Sequence, residues 1–562
     1  LANKKIKIGG DEKMSQNTSQ HVKAMEKETF LVSLLVTFFS AIICMQIIAR
    51  IGITPNTSII GALIAMSIAR IPSTALSKFR SLDRQNLVQT MTSAGGFAAA
   101  NCGLLAVGIL YSFGDLKLVI PMLLGSTIAT LIGIYFVYKV YDSEMYPASG
   151  SWPPGVATAA ALIAGDEGGA KAKTLFKGII LGALGTALRV KPVIPSGLPM
   201  AGVGIAFIAN PSAMLALGIG LILRGYFPQI SSVMTSMGLS GLPADLGKTY
   251  IPHGVMIGAG FVSLIQAMII IFKKDSSADK TRGKIENNEY IPTVSPSETK
   301  KVIFMSFVLF IAGALVLAFI SGVYTEMTTS KLALWIFWSG ISALIAPILV
   351  GLCAMHSGWF PGFAITIIFL TIGLFMNFPP LALALLSGYV ASTGPCFADM
   401  GYDLKTGWII RGMGKNIPYE LDGRRQQFIS EMIGGIVAMI AVALFMNMHF
   451  KLDLIPPVSR AFAVTIKAGS SPQILRELVI WAIPGAIIQF VGKAKRALGI
   501  LFATGLLINN PIYGVGLLIA VAIRCIYEKT HKEKMELYGA GFIAGDGIYG
   551  FFFSIGRSFG WW

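Results

Sequence analysis

Apolar residues in this chain gather into long continuous runs separated by short polar gaps, without the strict alternation of a half-buried strand. A helix that crosses a bilayer needs about 20 mostly apolar residues. Runs of that kind stand at 30–50, 56–71, 88–113, 117–141, 174–190, 198–223, 251–272, 302–322, 332–355, 359–378, 427–447 and 511–527. Shorter apolar pieces stand at 152–165, 380–397, 478–491, 494–508 and 538–553, and read as half-helices or re-entrant segments. The pattern predicts an all-α polytopic membrane protein of about 16 transmembrane helices, within a range of roughly 12 to 17, with broken segments and two pseudo-related halves.

The polar gaps divide the chain. Residues 1–29 are polar and Lys-rich and read as a cytoplasmic N-terminal tail. Met14-Ser15-Gln16 reads as a start, so residues 1–13 are set aside from fold reasoning. The longest hydrophilic gap, 273–301, reads as a cytoplasmic loop between a first membrane half at 30–272 and a second at 302–562. Arg70, Lys78, Arg80 and Arg84 crowd another gap, and basic residues concentrate in cytoplasmic loops.

Composition agrees with the pattern. Hydrophobic residues make up 54% of the 562 residues and charged residues 13%, about half the charged share of an ordinary soluble protein; the mean hydropathy is +0.69. The net charge of +17 sits in the gaps between apolar runs, which favours membrane topology over nucleic-acid binding. The five cysteines lack metal-finger or redox spacing and read as small packing residues.

Two kinds of residue change the picture from an inert span to a working one. The first is Pro-x-Gly at the opening of an apolar segment: Trp152-Pro153-Pro154-Gly155, Ile194-Pro195-Ser196-Gly197 and Ile251-Pro252-His253-Gly254. Pro suits a helix start and Gly permits close approach, so each marks a helix N-terminus whose free N–H groups suit a carboxylate. The second is acid among apolar residues, which is costly unless paired, solvated or protonated. Asp166, Asp245, Asp399, Asp403, Glu431 and Asp546 are the candidates for proton coupling, with His253 as a possible shuttle. Lys405 and Arg411 are candidate ion-pair partners of Asp403. Short echoes, Ile163–Asp166 with Ile543–Asp546 and Pro243–Gly247 with Phe397–Gly401, reverse their order between the halves and make no tandem repeat.

Several of these stretches together resemble the oligopeptide transporter family, which includes the yellow-stripe-like metal-chelate transporters. They are Asn86–Gly95, the Pro-rich Tyr146-Pro147 and Trp152–Ala159, Asp403-Leu404-Lys405-Thr406-Gly407 with Arg424–Gln427, and the closing Ala540–Gly547. Pro154 and Ala160 depart from the residues common in that family at those places. The resemblance implies a secondary active transporter of the plasma membrane, multi-pass with a cytoplasmic N-terminus. It would use a proton gradient to move short peptides or peptide-like molecules, or alternatively metal chelates, with no resident cofactor or metal. Broken helices at 152–165 and near 392–407 would line a central cavity, with Gln89, Tyr146, Trp152, Pro154, Gly155, Tyr389 and Lys405 as substrate-binding candidates. A channel and a membrane-embedded enzyme are the competing classes. The sequence has no phosphate loop and no His-Glu-x-x-His.

Overall fold

The computed structural model describes residues 20–558 except 52–53, 55–56, 168, 189–196, 239–242, 273–284, 287–288, 359 and 469–471. The first half runs α1 (Lys27–Ile51), α2 (Thr57–Arg70), α3 (Leu82–Ala98), a π-helical turn (Ala99–Leu104), α4 (Leu105–Phe113), α5 (Val119–Val140), α6 (Pro153–Glu167), α7 (Gly169–Ala187), α8 (Met200–Ile208), α9 (Pro211–Ser236) and α10 (Ile251–Phe272). A two-stranded ribbon, Ile285–Glu286 with Glu289–Tyr290, precedes the second half. There follow α11 (Pro296–Ser321), α12 (Thr329–Ser357), α13 (Gly362–Phe375), α14 (Pro380–Ala391), α15 (Gly394–Ile410), α16 (Ile417–Lys451), α17 (Pro457–Ala468), α18 (Pro472–Arg496), α19 (Leu498–Leu507) and α20 (Pro511–Ser558).

The protein is an all-α polytopic membrane protein. Nine helices among the described residues are long and apolar enough to cross a bilayer, and four shorter apolar helices accompany them. Large apolar side chains such as Phe304, Phe319, Leu444, Val464, Ile483 and Phe490 stand exposed, as lipid solvation allows.

Element boundaries differ from the run pattern where capping chemistry cuts or joins a run. The run 198–223 is two helices, because Asn210 caps α9 by accepting the N–H groups of Ser212 and Ala213, with Pro211 at the first helical position. The pieces 511–527 and 538–553 are one helix kinked at His531. α11 begins inside the hydrophilic gap, where Ser295 and Glu298 form a capping box. α17 went unread, since its Ser459, Arg460 and Lys467 keep it from being a continuous apolar run. Residues 1–19, most of the tail, and Ile194–Ser196 lie outside the described residues.

Once α11 is set aside, the halves repeat an element order from α1 and from α12: a long helix, a short one, an interrupted long pair, a long helix, then short and long helices in the same succession. They interleave. α7 packs on the later part of α20, and its counterpart α18 packs on α10; α8 packs on α20, and its counterpart α19 packs on α9 and α10. Small residues make these crossings tight, as membrane helices require in the absence of a hydrophobic drive between them. Gly178 meets Gly541 in one, and Gly258 lies against the Ala482 backbone in the other. The two interrupted pairs, α3 with α4 and α14 with α15, also touch: the Ser392 hydroxyl at the second break donates to the Cys102 carbonyl in the π turn, at 3.0 Å.

Candidate functional site

A break in a membrane helix frees backbone groups that must find partners. At the second break Ser392 also donates to the Gly388 carbonyl at 2.7 Å, and Thr393 to the Val390 carbonyl at 2.8 Å, so α14 ends cleanly before Pro395 starts α15. α15 then carries Asp399 and Asp403 one turn apart on one face. After a turn at 411–416, α16 folds back alongside and adds Glu431. Carboxylate oxygens of the three lie within 4.8 Å of one another. Asp399 is 2% exposed, Asp403 0% and Glu431 1%.

The opposing face comes from α2 and α3. Thr57 and Ser93 donate to one oxygen of Asp399 at 3.2 and 2.8 Å. Ser58 and the Gln89 amide donate to one oxygen of Asp403 at 2.7 and 2.5 Å. Gln89 and Ser93 are four residues apart, so one helical face presents both. The second oxygens of Asp399 and Asp403, and Oε2 of Glu431, have no hydrogen-bond partner among the described residues. No cationic side chain among the described residues is ion-paired with the three. Lys405 turns away, donating to the Ala148 carbonyl at 2.7 Å and lying 4.4 Å over the Trp408 ring. Coulomb repulsion between carboxylates this close is relieved by a bound proton or a bound cation. The donor set is all hard oxygen, which suits a cation such as sodium, magnesium or calcium as readily as a proton.

A cavity of about 420 Å³ opens beside this cluster, within the usual range of about 300–1,000 Å³ for ligand sites. Both breaks face it: Phe97, Asn101 and Leu105 line it from the first interrupted pair, and Ala391, Pro395, Asp399 and Tyr402 from the second. π turns of this kind gather at functional sites. Pro154 of α6, Ala201 and Ile205 of α8, Phe360 and Pro361 before α13, and Tyr513 and Asp546 of α20 are also in the wall. Asp399 belongs to both the carboxylate cluster and the cavity.

The residues singled out from sequence thus fall into three groups. Asp399, Asp403, Glu431 and Gln89 converge in the cluster, and Asp399, Asp546 and Pro154 reach the cavity. Others pack the scaffold. Tyr146 donates to the Ile348 carbonyl and Tyr389 to that of Phe310, each at 2.8 Å. Trp152, at φ +39°, is held by its N–H on the Met355 carbonyl and by its ring over Gly401. Gly155 lets α6 press against Tyr402 and Lys405 of α15, so the Pro-rich motif serves a helix crossing. The third group is remote: Asp166 is exposed at the end of α6, Asp245 pairs with Arg224 at 2.7 Å in a loop, and His253 stands at the start of α10 beside Tyr250.

Sequence reading missed Thr57, Ser58, Ser93, Asn101 and Tyr402. Ordinary polar residues carry no signal until a neighbour across the packing is known. It also missed the ion-pair network below the cluster. There Arg411 grips Glu420 with two bonds, of 2.7 and 3.1 Å, and Arg424 lies 3.4 Å from Glu420 and 3.5 Å from Asp142. Gln427 joins the two regions, accepting from Arg411 at 2.9 Å and donating to the Asp403 carbonyl at 2.6 Å.

The family model for OPT oligopeptide transporter protein matches residues 28–193 and 194–556, nearly the whole chain. The chain belongs to the oligopeptide transporter family. No curated protein matches it. For this family member, interrupted helices meeting at a cavity are the expected architecture of a carrier, since broken backbone is tolerated at membrane depth where it lines a cavity or lies buried in protein.

Proposed function

We propose that this transporter is a secondary active carrier that imports oligopeptides or peptide-like substrates across the plasma membrane, driven by the proton gradient. The observation that supports this most is the position of Asp399, shared between the substrate-sized cavity and a buried set of three acids with no cationic partner among the described residues. A proton taken up by the set and a substrate in the cavity then act on the same side chain. Each favours one facing state through its differential affinity, which is what coupling requires. The paired breaks at 99–104 and 392–393 are where the interleaved halves would yield as the cavity changes its opening. The energy source is the gradient, with no resident cofactor.

The test is uptake of a labelled tripeptide into proteoliposomes with and without an inward proton gradient. Accumulation above equilibrium that a protonophore abolishes supports the proposal. Uptake at the same rate and to the same level with no gradient sinks the coupling, and a large single-channel current in a planar bilayer would point to a channel instead.

A further inference from the structure

The cavity has an unequal charge inventory. Among its described lining residues the charged ones are Asp399 and Asp546; Lys, Arg and His are absent from them. Lys405 donates to the Ala148 carbonyl, Arg460 pairs with Asp453 at 2.8 Å, and Arg524 donates to the Ala206 carbonyl at 2.9 Å and to Glu528 at 3.2 Å. One oxygen of Asp399 and the Tyr402 hydroxyl are buried in the wall without partners, while Asp546 is half-buried and accepts from Thr186 and the Ala201 N–H.

Resting on the peptide-carrier reading above, we infer that the cavity recognises the free amino end of its substrate at its acidic wall, to which Asp399 and Asp546 both contribute, and discriminates against ligands of net negative charge. An ammonium group offers three donors and no acceptor, matching the unpartnered oxygen of Asp399 and the Tyr402 hydroxyl oxygen on the same helix. Such charge-assisted bonds are short and about twice as strong as neutral ones. Helices α6, α8, α13, α15 and α17 begin at the wall. Each supplies only about half a positive charge, confined to its first turn, and none is the full cation with which a carboxyl end would pair. A carboxyl end is therefore tolerated and not required, and a carboxylate-rich metal chelate meets net repulsion. An ammonium on Asp399 leaves Asp403 and Glu431 to keep a proton, so substrate and proton can ride together.

Binding to the purified full-length protein in detergent, by calorimetry and thermal shift, tests this. The probes are trialanine, its N-acetyl form, its C-terminal amide and iron(III) citrate. N-acetylation is expected to weaken binding by about tenfold or more, as loss of a charge-assisted pair implies, with amidation changing it by less than about threefold and citrate complex failing to bind. Equal affinity for free and acetylated peptide, or a larger loss on amidation, overturns the inference while leaving peptide transport standing. Failure of every tripeptide to bind overturns both. Asp546→Asn keeps an oxygen for Thr186 and Ala201, and should shrink the gap between free and acetylated peptide to about threefold or less, against the charge-assisted loss above; an unchanged gap removes Asp546 from the site.

Discussion

Two buried charged regions lie next to each other on α15 and α16, and they are built on opposite rules. Around Arg411 and Arg424 two cations face two anions, Glu420 and Asp142, with Tyr141 beneath Arg424 at 5.2 Å. Asp142 also accepts from Thr293 at 2.7 Å, which ties the approach to α11 to the loop after α5. The carboxylate cluster, linked to this region by Gln427, holds three acids with only hydroxyl and amide donors. Balanced buried charge that is held in ion pairs makes a clamp. Unbalanced buried charge is costly to keep and persists where something mobile, a proton or a cation, completes it.

Breaking the balanced region should have the largest effect. Arg411→Met leaves Glu420 buried with only the more distant Arg424, and uncompensated charge of this kind costs about 3–5 kcal/mol. The expected outcome is a large fall in melting temperature and in yield of monodisperse protein, read by fluorescence-detected size exclusion after heating. A variant as stable as the parent would erase the distinction between the regions.

The acid cluster should respond in the other direction. Glu431→Gln and Asp399→Asn each remove one of three like charges and keep the shape. Melting temperature should hold or rise, because Coulomb repulsion is relieved. Proton-driven peptide accumulation should fall by about tenfold or more, on the order of the coupling energies of linked sites. Destabilisation comparable to that of Arg411→Met would show the cluster to be a structural feature like its neighbour.

The asymmetry between these regions was only half legible in the sequence. Asp399, Asp403 and Glu431 stand out individually, since an acid in an apolar run is conspicuous. The spacing of the first two already places them on one helix face. Their meeting with Glu431, 28 residues beyond Asp403, depends on a turn at 411–416 whose geometry no hydrophobic pattern encodes. Lys405, close in sequence to Asp403, is the partner that proximity suggests, yet residues two apart on a helix do not share a face, and its amine goes to Ala148. Arg411 pairs with Glu420 across that same turn, nine residues away. The aromatic candidates misled for a related reason. Tyr146, Trp152 and Tyr389 are large and next to Pro or Gly, which marks where chains approach closely, and that approach turned out to be packing. The helices were legible as runs, whereas the π turn at Ala99–Leu104 lies inside an unbroken small-residue stretch with no marker.

Gln427 sharpens the comparison with a smaller effect. Its side chain accepts from Arg411 and donates to Thr90 at 3.1 Å and to the Asp403 carbonyl. Gln427→Leu should cost about 1–3 kcal/mol of stability, the range for leaving a buried polar partner unsatisfied. If the regions communicate, combining it with Glu431→Gln should give an uptake change that departs from the sum of the two by about 0.5 kcal/mol or more, as coupled neighbours do. Additive effects would mean that clamp and cluster are merely adjacent.

The smallest effect should come from an acid that sequence alone ranks beside the cluster. Asp245 lies in a loop, where the Gly247 N–H at 2.8 Å and Arg224 at 2.7 Å hold its carboxyl below the usual carboxylate range. A lowered value in the folded state stabilises the fold above the ordinary carboxylate value, and that contribution is lost only as pH falls through the lowered value. Asp245 therefore stays ionised across the neutral and mildly acidic range in which a proton-driven carrier is assayed, and it has no proton to exchange there. Asp245→Asn keeps an oxygen for Gly247 and should leave the pH profile of peptide uptake unchanged while the cluster variants alter it. A shifted profile in Asp245→Asn would mean that paired and unpaired acids are not separated by function in this transporter, which is the distinction the two buried regions otherwise draw.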